Sequence, residues 1–254
     1  MLRTPDPKRT IRIAFGEAAA TYDAAAHIQR RIADRLIAHA SLPAEGCLLD
    51  AGCGTGYGWR QLVQRAPAMQ VVALDHAVAM STRNTPHGLC GDLEALPLAD
   101  ASIDHYWSSL AWQWVDAGRA AHEAARVLRS GARLDVATLG PQTLHELRHA
   151  FTGVDARAHV RTFGDLAGYE KALRAAGFID IDIRRETFID HAGDLRALLR
   201  SLRDVGANTV DGRSRTALNR AAWRAIESRY ETMRDEHGLP ASYEALFLFA
   251  RKTP

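Results

Sequence analysis

The feature that most constrains this chain is a glycine-rich turn within residues 48–56. An apolar run ends in Asp50, and three glycines follow at alternate positions, Gly52, Gly54 and Gly56. The residues after the turn can begin a helix. A strand, a glycine turn and a helix N-terminus together form the arrangement that cradles a nucleotide in doubly wound α/β folds.

The spacing of these glycines separates two classes of ligand. A dinucleotide-binding loop has the pattern G-x-G-x-x-G, but its third glycine position is occupied here by Tyr57. The carboxylate of Asp50 would repel a pyrophosphate, whereas it suits a cation such as S-adenosylmethionine, which has an ammonium, a sulfonium and no phosphate. The loop resembles that of class I S-adenosylmethionine-dependent methyltransferases. A turn that merely tightens a strand–helix corner is the alternative.

A second acid supports the nucleotide interpretation. Residues 70–75 are predicted to form a strand that ends in Asp75. An acid at the tip of the second strand is where a ribose diol is held. His76 and Met80 follow this strand directly, and we predict that they line the same site.

Two later segments are predicted by position to complete the site. Asp92 follows the third predicted strand, where it could accept a hydrogen bond from an adenine amino group while the N–H of Leu93 meets a ring nitrogen. A solvated loop acid is the alternative. Ser109 ends the fourth strand, and Gln113 and Trp114 follow at the usual place of a methyl acceptor. Tryptophans there could attract the sulfonium by cation–π contact, with core packing as the alternative.

Composition limits the classes of partner. The chain has 254 residues, 47% apolar, and a net charge of +2. No apolar run approaches the roughly 20 residues of a membrane span, and no secretory signal is visible at the start. Three cysteines without metal-ligand spacing fit a reducing cytoplasm. We therefore expect a cytoplasmic protein with no metal, no nucleic-acid partner and no membrane partner.

The order of predicted elements indicates one α/β domain over residues 1–254. Alternating strands and helices imply a class I methyltransferase Rossmann-like sheet, mostly parallel with an antiparallel end. Residues 1–40 and an insertion at 191–240 are predicted to form a helical lid, with a purely structural extension as the alternative. The predicted strands are 46–51, 70–75, 87–91, 103–109, 132–139, 179–183 and 243–251, and a helix at 117–129 is predicted to end at Ser130-Gly131.

The resemblance extends to a more specific family over nearly the whole length. The chain is similar to the malonyl-acyl carrier protein O-methyltransferases of early biotin synthesis. The glycine loop is generic to methyltransferases, and the later segments select this family. The matching segments are Ala14–Asp23, Ser109–Trp114, Leu139–Arg148, Asp194–Asn208 and Gly238–Glu244.

This resemblance implies transfer of a methyl group from S-adenosylmethionine to the free carboxylate of a malonyl thioester on acyl carrier protein. A carboxylate is ionised at neutral pH, so the reaction needs no general base and depends on proximity and orientation. Tyr22 and Arg161 are predicted to hold the carboxylate as catalytic residues. Gln113, Trp114 and Arg203 are predicted to contact the substrate.

One segment departs from the family pattern. The family usually has a histidine, two positions, an arginine and a phenylalanine, whereas the run here is His159-Val160-Arg161-Thr162-Phe163. The arginine is therefore displaced by one residue. Either Arg161 reaches the site by another path, or substrate recognition has changed.

Three arginines near residue 200 indicate how a carrier protein would bind. Arg196, Arg200 and Arg203 are predicted to form an outward stripe that docks an acidic carrier, with an ordinary solvated helix face as the alternative.

Segments around Ser109 and Glu146 also resemble methyltransferase-like assembly factors of respiratory complex I that act as arginine hydroxylases. A non-catalytic S-adenosylmethionine-binding scaffold is a third possibility, against which the intact acids and glycines argue.

Overall fold

Strands and helices alternate along the computed structural model, which describes residues 7–83, 88–154, 159–207 and 219–254. In this part of the chain, seven strands form one sheet in the order β3-β2-β1-β4-β5-β7-β6. The strands are β1 (Gly46–Ala51), β2 (Met69–Asp75), β3 (Leu89–Cys90), β4 (Ile103–Ser109), β5 (Leu128–Leu139), β6 (Phe178–Ala192) and β7 (Leu239–Lys252).

The parallel part of the sheet extends from β3 to β5. β1 to β5 pair in parallel, and β7 then runs antiparallel to both β5 and β6. The carboxyl ends of the parallel strands therefore meet at one edge, where open α/β sheets bind their ligands. The predicted fold class, a mostly parallel sheet with an antiparallel end, is confirmed.

Helices cover both faces of this sheet. Neighbouring strand residues point to opposite faces, so Leu48 and Phe247 pack in one hydrophobic cluster, whereas Leu49 and Leu246 pack in the other. The helices are α1 (Pro7–Ala18), α2 (Tyr22–Ala25), α3 (His27–His39), α4 (Tyr57–Arg65), α5 (Val78–Ser81), α6 (Ala117–Val127), α7 (His145–Ala150), α8 (Leu166–Ala175), α9 (Leu195–Asp204) and α10 (Arg220–Glu231), with a short 3-10 helix at Trp112–Trp114.

The predicted end of the helix at Ser130-Gly131 is wrong. α6 ends at Val127 and β5 begins at once, so both residues lie inside the strand. Ile103 pairs with Leu128 but His105 pairs with Arg133, so the intervening residues of β5 bulge out of the ladder. The positive φ of Gly131, 73°, belongs to this bulge and not to a helix cap.

The edge strand is longer than its alternating apolar pattern predicts. The pattern ends at Ile183, but the ladder between β6 and β7 continues to the pair Ala192–Leu239. An edge strand keeps one face in solvent, so the charged residues after Ile183 do not interrupt it. The helical part of the predicted 191–240 insertion is correspondingly shorter, because both of its ends are strand residues.

Two helices of the insertion, α9 and α10, are described, and residues 208–218 between them lie outside the described part. Residues 1–6 of the N-terminal segment and residue 87 of the third predicted strand also lie outside it. Within the described ranges, no helix combines the length and the apolar character that crossing a bilayer requires.

The contact between α4 and the sheet can be tested at Gly58. A Cβ added there would lie 2.6 Å from the ring of Trp107, which is 1% exposed. We expect Gly58→Ala to lower the free energy of unfolding by about 1–3 kcal/mol, as overpacked cores do. Urea denaturation measures this change.

Gly16→Ala in α1 is the matched control, because an added Cβ there would meet no atom within 4 Å. Alanine is the better helix former by about 1 kcal/mol, so this variant should be as stable as the parent or more stable. A Gly58→Ala protein that unfolds at the parental urea concentration would contradict the tight contact.

Candidate active site

The glycine loop connects the tips of β1 and β2. The backbone N–H groups of Gly52 and Cys53 both donate to the carbonyl oxygen of Leu74, at 2.7 and 2.9 Å. Gly52 has a φ of 83°, and a Cβ there would lie 2.3 Å from the Cβ of Ala111. A side chain is therefore excluded at Gly52 both by backbone conformation and by space.

Asp50 is buried beneath this loop. Its side chain is 0% exposed, and neither carboxylate oxygen has a hydrogen bond among the described residues. Burial raises its pKa well above the usual range, and the nearby charge of Asp75 adds to this effect. The backbone N–H of Trp59 favours the charged form of Asp50, but its geometry does not meet the criteria of a hydrogen bond. A cationic ligand would satisfy this carboxylate.

Asp75 is held by the backbone on both oxygens. One oxygen accepts from the N–H of Gly54 at 3.0 Å, and the other accepts from the N–H of Ala77 at 2.8 Å. Burial raises the pKa of this carboxyl, while these N–H groups act in the opposite direction. Each carboxylate oxygen retains acceptor capacity, so two hydroxyl donors can still bind.

A cleft of about 700 Å³ opens beside the loop, and we call it the glycine-loop cleft. It brings together eight of the ten residues predicted to bind the cofactor: Gly52, Gly54, Asp75, His76, Met80, Asp92, Leu93 and Ser109. Asp50 lies in an adjoining cavity of about 460 Å³, the Asp50 recess, which also contains Gly52 and Gly54. Gly56 lies outside the residues that line either space, and its φ of 86° allows the turn into α4.

Asp92 has a partner that the sequence did not reveal. The Nζ of Lys8 on α1 lies 2.6 Å from Asp92 and 2.8 Å from Glu94. Burial alone would raise the pKa of Asp92, but Lys8 and the N–H of Glu94 hold it below the ordinary value. A ligand that binds Asp92 through an amino group would share this carboxylate with the N-terminal helix.

Arg30 on α3 is a second residue that sequence reasoning missed. It lines the Asp50 recess, and its Nε is buried without a hydrogen-bond partner among the described residues. Its terminal nitrogen donates to the carbonyl of Asp23 at 2.6 Å, and the carboxylate of Asp23 accepts from Thr55 at 2.6 Å. The recess therefore contains a buried acid and a guanidinium, the pair of groups that an amino acid requires. No motif marks Arg30, since it lies far from the glycine loop in sequence.

A larger cavity of about 1090 Å³, which we call the arginine cavity, adjoins the glycine-loop cleft. Four side chains line both spaces: Phe15, Tyr22, Leu110 and Trp114. Burial, with the nearby charges of Asp75 and Asp23, raises the pKa of Tyr22 above its ordinary value. Tyr22 is therefore a neutral phenol at physiological pH, and it can donate a hydrogen bond.

The structure settles where the displaced arginine points. Arg161 lines the arginine cavity, its Nε donates to the carbonyl of Gln113 at 3.2 Å, and its guanidinium lies 5.1 Å from the ring centre of Trp114. Thr162 is exposed and lies outside the cavity lining. Arg203 of α9 lines the same cavity. The family departure at Thr162 thus does not remove an arginine from this space.

The two tryptophans of the predicted acceptor segment have different positions. Trp112 is 0% exposed and donates to the hydroxyl of Tyr106 at 3.2 Å, so it belongs to the core. Trp114 lies between the two cavities, with the ring of Phe15 packed edge-on at 5.2 Å. Gln113 lines the arginine cavity, and its side chain is held by the carbonyl of Leu110 at 2.7 Å.

The described residues contain no group of three or more His, Cys, Asp or Glu side chains that could hold a metal ion. The two cavities and the recess are lined by arginines, acids, Tyr22 and apolar side chains. These groups can bind a zwitterion beside a second, anionic molecule.

Comparison with known proteins identifies the family of this chain. A methyltransferase domain model matches residues 49–136. The malonyl-acyl carrier protein O-methyltransferase of Dechloromonas aromatica is 46% identical, over 98% of this chain and 96% of that protein. The enzyme of the same name from Laribacter hongkongensis is 41% identical, over 94% and 88%.

A solved structure shares the fold at low sequence identity. The YcgJ protein of Bacillus subtilis has a TM-score of 0.61 at 16% identity, covering 88% of this chain and 99% of that one. The names of the two sequence relatives specify O-methylation and not arginine hydroxylation. The chain therefore belongs to the malonyl-acyl carrier protein O-methyltransferase family, and it is an S-adenosylmethionine-dependent methyltransferase.

Proposed function

We propose that the two adjoining spaces bind the two substrates of this family's reaction, S-adenosylmethionine in the glycine-loop cleft and a malonyl thioester of acyl carrier protein in the arginine cavity. The observation that carries this proposal is the common wall of the two spaces. Tyr22 and Trp114 line both spaces, and the guanidinium of Arg161 lies 5.1 Å from the ring centre of Trp114. A carboxylate held there lies next to the cofactor.

The residues present fit S-adenosylmethionine group by group. Asp75 would hold the ribose hydroxyls, and Asp92 the adenine amino group. Asp50 would meet the ammonium and Arg30 the carboxylate of the methionine part, because both line the recess and have buried atoms without hydrogen-bond partners in the described part of the chain. His76 and Met80 would line the adenosine site. When bound, this cofactor supplies a methyl group on a positively charged sulfur.

The acceptor needs orientation and desolvation. A malonyl carboxylate is already ionised near neutral pH, so no side chain has to remove a proton. Arg161 would bind it through charged hydrogen bonds, and the Tyr22 phenol would donate to it. Phe15, Leu110 and Trp114 provide apolar walls that exclude water and align the oxygen with the methyl group.

Mass spectrometry of the substrates is the direct test of this function. Malonyl carrier protein incubated with the enzyme and S-adenosylmethionine should gain one methyl group, removable by ester hydrolysis. An acetyl carrier, which lacks the free carboxylate, should remain unmodified. An unchanged malonyl carrier, or an added oxygen on an arginine of another protein, would overturn the proposal.

The cofactor assignments predict that substitutions weaken ligand affinity in two different patterns. Charged hydrogen bonds contribute roughly 1.5–3 kcal/mol, so Asp75→Ala should weaken binding of S-adenosylhomocysteine about tenfold or more. It should weaken methylthioadenosine similarly, because both ligands have the ribose. Arg30→Ala and Asp50→Asn should weaken only S-adenosylhomocysteine, since methylthioadenosine lacks the amino acid part. Calorimetry measures all of these affinities.

Asp182→Ala is the control, because this carboxylate lies on the exposed edge strand β6. It should bind both ligands as the parent does. An Arg30→Ala protein that loses affinity for methylthioadenosine as strongly as for S-adenosylhomocysteine would place Arg30 elsewhere than at the amino acid end.

The acceptor assignment predicts a separation of turnover from cofactor binding. Arg161→Ala should lower kcat/KM for the malonyl carrier about tenfold or more, with little change in S-adenosylmethionine affinity. Arg161→Lys should recover only part of the loss, because a lysine lacks the planar fork that binds carboxylates. Steady-state kinetics gives these values.

Thr162→Ala is the neighbouring control, since Thr162 lies outside the cavity lining. Its kinetics should equal those of the parent. Full activity of Arg161→Ala would show that the carboxylate is held by another group, for which Arg203 is the next candidate.

A further inference from the structure

α9 forms part of the wall of the arginine cavity. Leu195, Leu198 and Leu202 are buried, and Leu202 also lines the cavity together with Arg203. Arg196 and Arg200 lie on the exposed side of the same helix. The helix therefore presents Leu202 and Arg203 to the arginine cavity, and Arg196 and Arg200 to solvent.

α10 extends this cationic surface in a way that the sequence did not reveal. A shallow depression between the two helices is lined by Arg196, Arg220, Trp223, Arg224 and Glu227. The guanidinium of Arg196 lies 5.4 Å from the ring centre of Trp223, and its Nε lies 3.6 Å from Glu227. The depression is thus lined by three arginines and one glutamate.

Most of the arginines on this surface make no ion pair with another described residue. Among the described residues, no salt bridge or hydrogen bond engages the side chains of Arg200, Arg203, Arg220 or Arg224. Some arginines elsewhere do pair with carboxylates, as Arg174 does with Glu170 at 2.7 Å. The net charge of the whole chain is only +2, so this concentration is local.

The arginines of α9 lie along a line that leads from the depression to the arginine cavity. Arg196 and Arg203 are seven residues apart on α9, which corresponds to about 10 Å along a helix. Arg196 borders the depression at one end, and Arg203 lines the arginine cavity at the other. An anionic partner seated on the depression would lie beside the cavity.

We propose that the surface formed by Arg196, Arg200, Arg220 and Arg224, here called the α9–α10 patch, docks the acidic carrier protein. Arg203 would meet the phosphate of the arm that carries the malonyl group as it enters the arginine cavity. This inference rests on the proposed function, because it takes the acyl carrier protein as the partner. Complementary charge increases the association rate and selects this partner over neutral proteins.

The test compares a carrier-bound substrate with a small one. The probes are malonyl carrier protein and a malonyl thioester of N-acetylcysteamine, which lacks the protein and the phosphate. The variant Arg220→Glu/Arg224→Glu should raise KM for the carrier about tenfold or more, and should change kcat/KM for the small thioester by less than about twofold. Arg196→Glu/Arg200→Glu should behave in the same way.

Arg65→Glu/Arg133→Glu is the matched control, with the same change of net charge. Both arginines are exposed, and both lie toward the amino-terminal edge of the strands, away from the arginine cavity. This variant should retain the parental KM for the carrier. Thermal unfolding of every variant identifies any that fail to fold.

Salt gives an independent readout of the same surface. The Debye length falls from about 10 Å at 0.1 M to about 3 Å at 1 M, so added salt should raise the parental KM for the carrier. The patch variants should show a weaker salt dependence. Equal losses on both substrates, or an equal effect of the control, would overturn the docking surface. An enzyme that methylates neither malonyl substrate would instead overturn the proposed function.

Discussion

The site depends on the two hydrogen bonds that the glycine loop donates to the carbonyl of Leu74. They bind the end of β1 to the end of β2, and the N–H of Gly54 then reaches Asp75. Because these backbone contacts require the loop to pass close to Ala111, glycine is the only residue that fits at position 52. The separation of Asp50 and Asp75 follows from this geometry.

Local patterns were sufficient to predict the sheet and most of the residues that line the glycine-loop cleft. An apolar run, an acid and a glycine spacing are short-range features, and their positions at strand ends bring them together once the sheet forms. Lys8 and Arg30 could not be predicted in this way, because they come from helices whose docking against the sheet leaves no periodic signal near the motif. The bulge at Gly131 was missed for a related reason, since a glycine with positive φ ends helices as readily as it bends strands.

The arginine cavity shows how a segment can depart from its family pattern while retaining a cationic group. The side chain of Arg161 reaches the cavity over Trp114, and Thr162 takes the exposed position. A guanidinium is long enough to compensate for a shift of one residue, provided that a carbonyl such as that of Gln113 fixes its direction. Sequence alone left both outcomes open, because the outcome depends on where the backbone of this loop runs.

The pairing of β6 with β7 anchors the insertion whose first helix, α9, lines part of the arginine cavity. Ala192 and Leu239, the residues between which the insertion leaves and returns, are already partners in the ladder. The ends of the insertion are thus held together by the strands, and the entropy of closing a loop grows only slowly with its length. Descendants of this fold can therefore lengthen, shorten or reshape α9 and α10, and so acquire other acceptors, while the half of the molecule that holds the methyl donor remains unaltered.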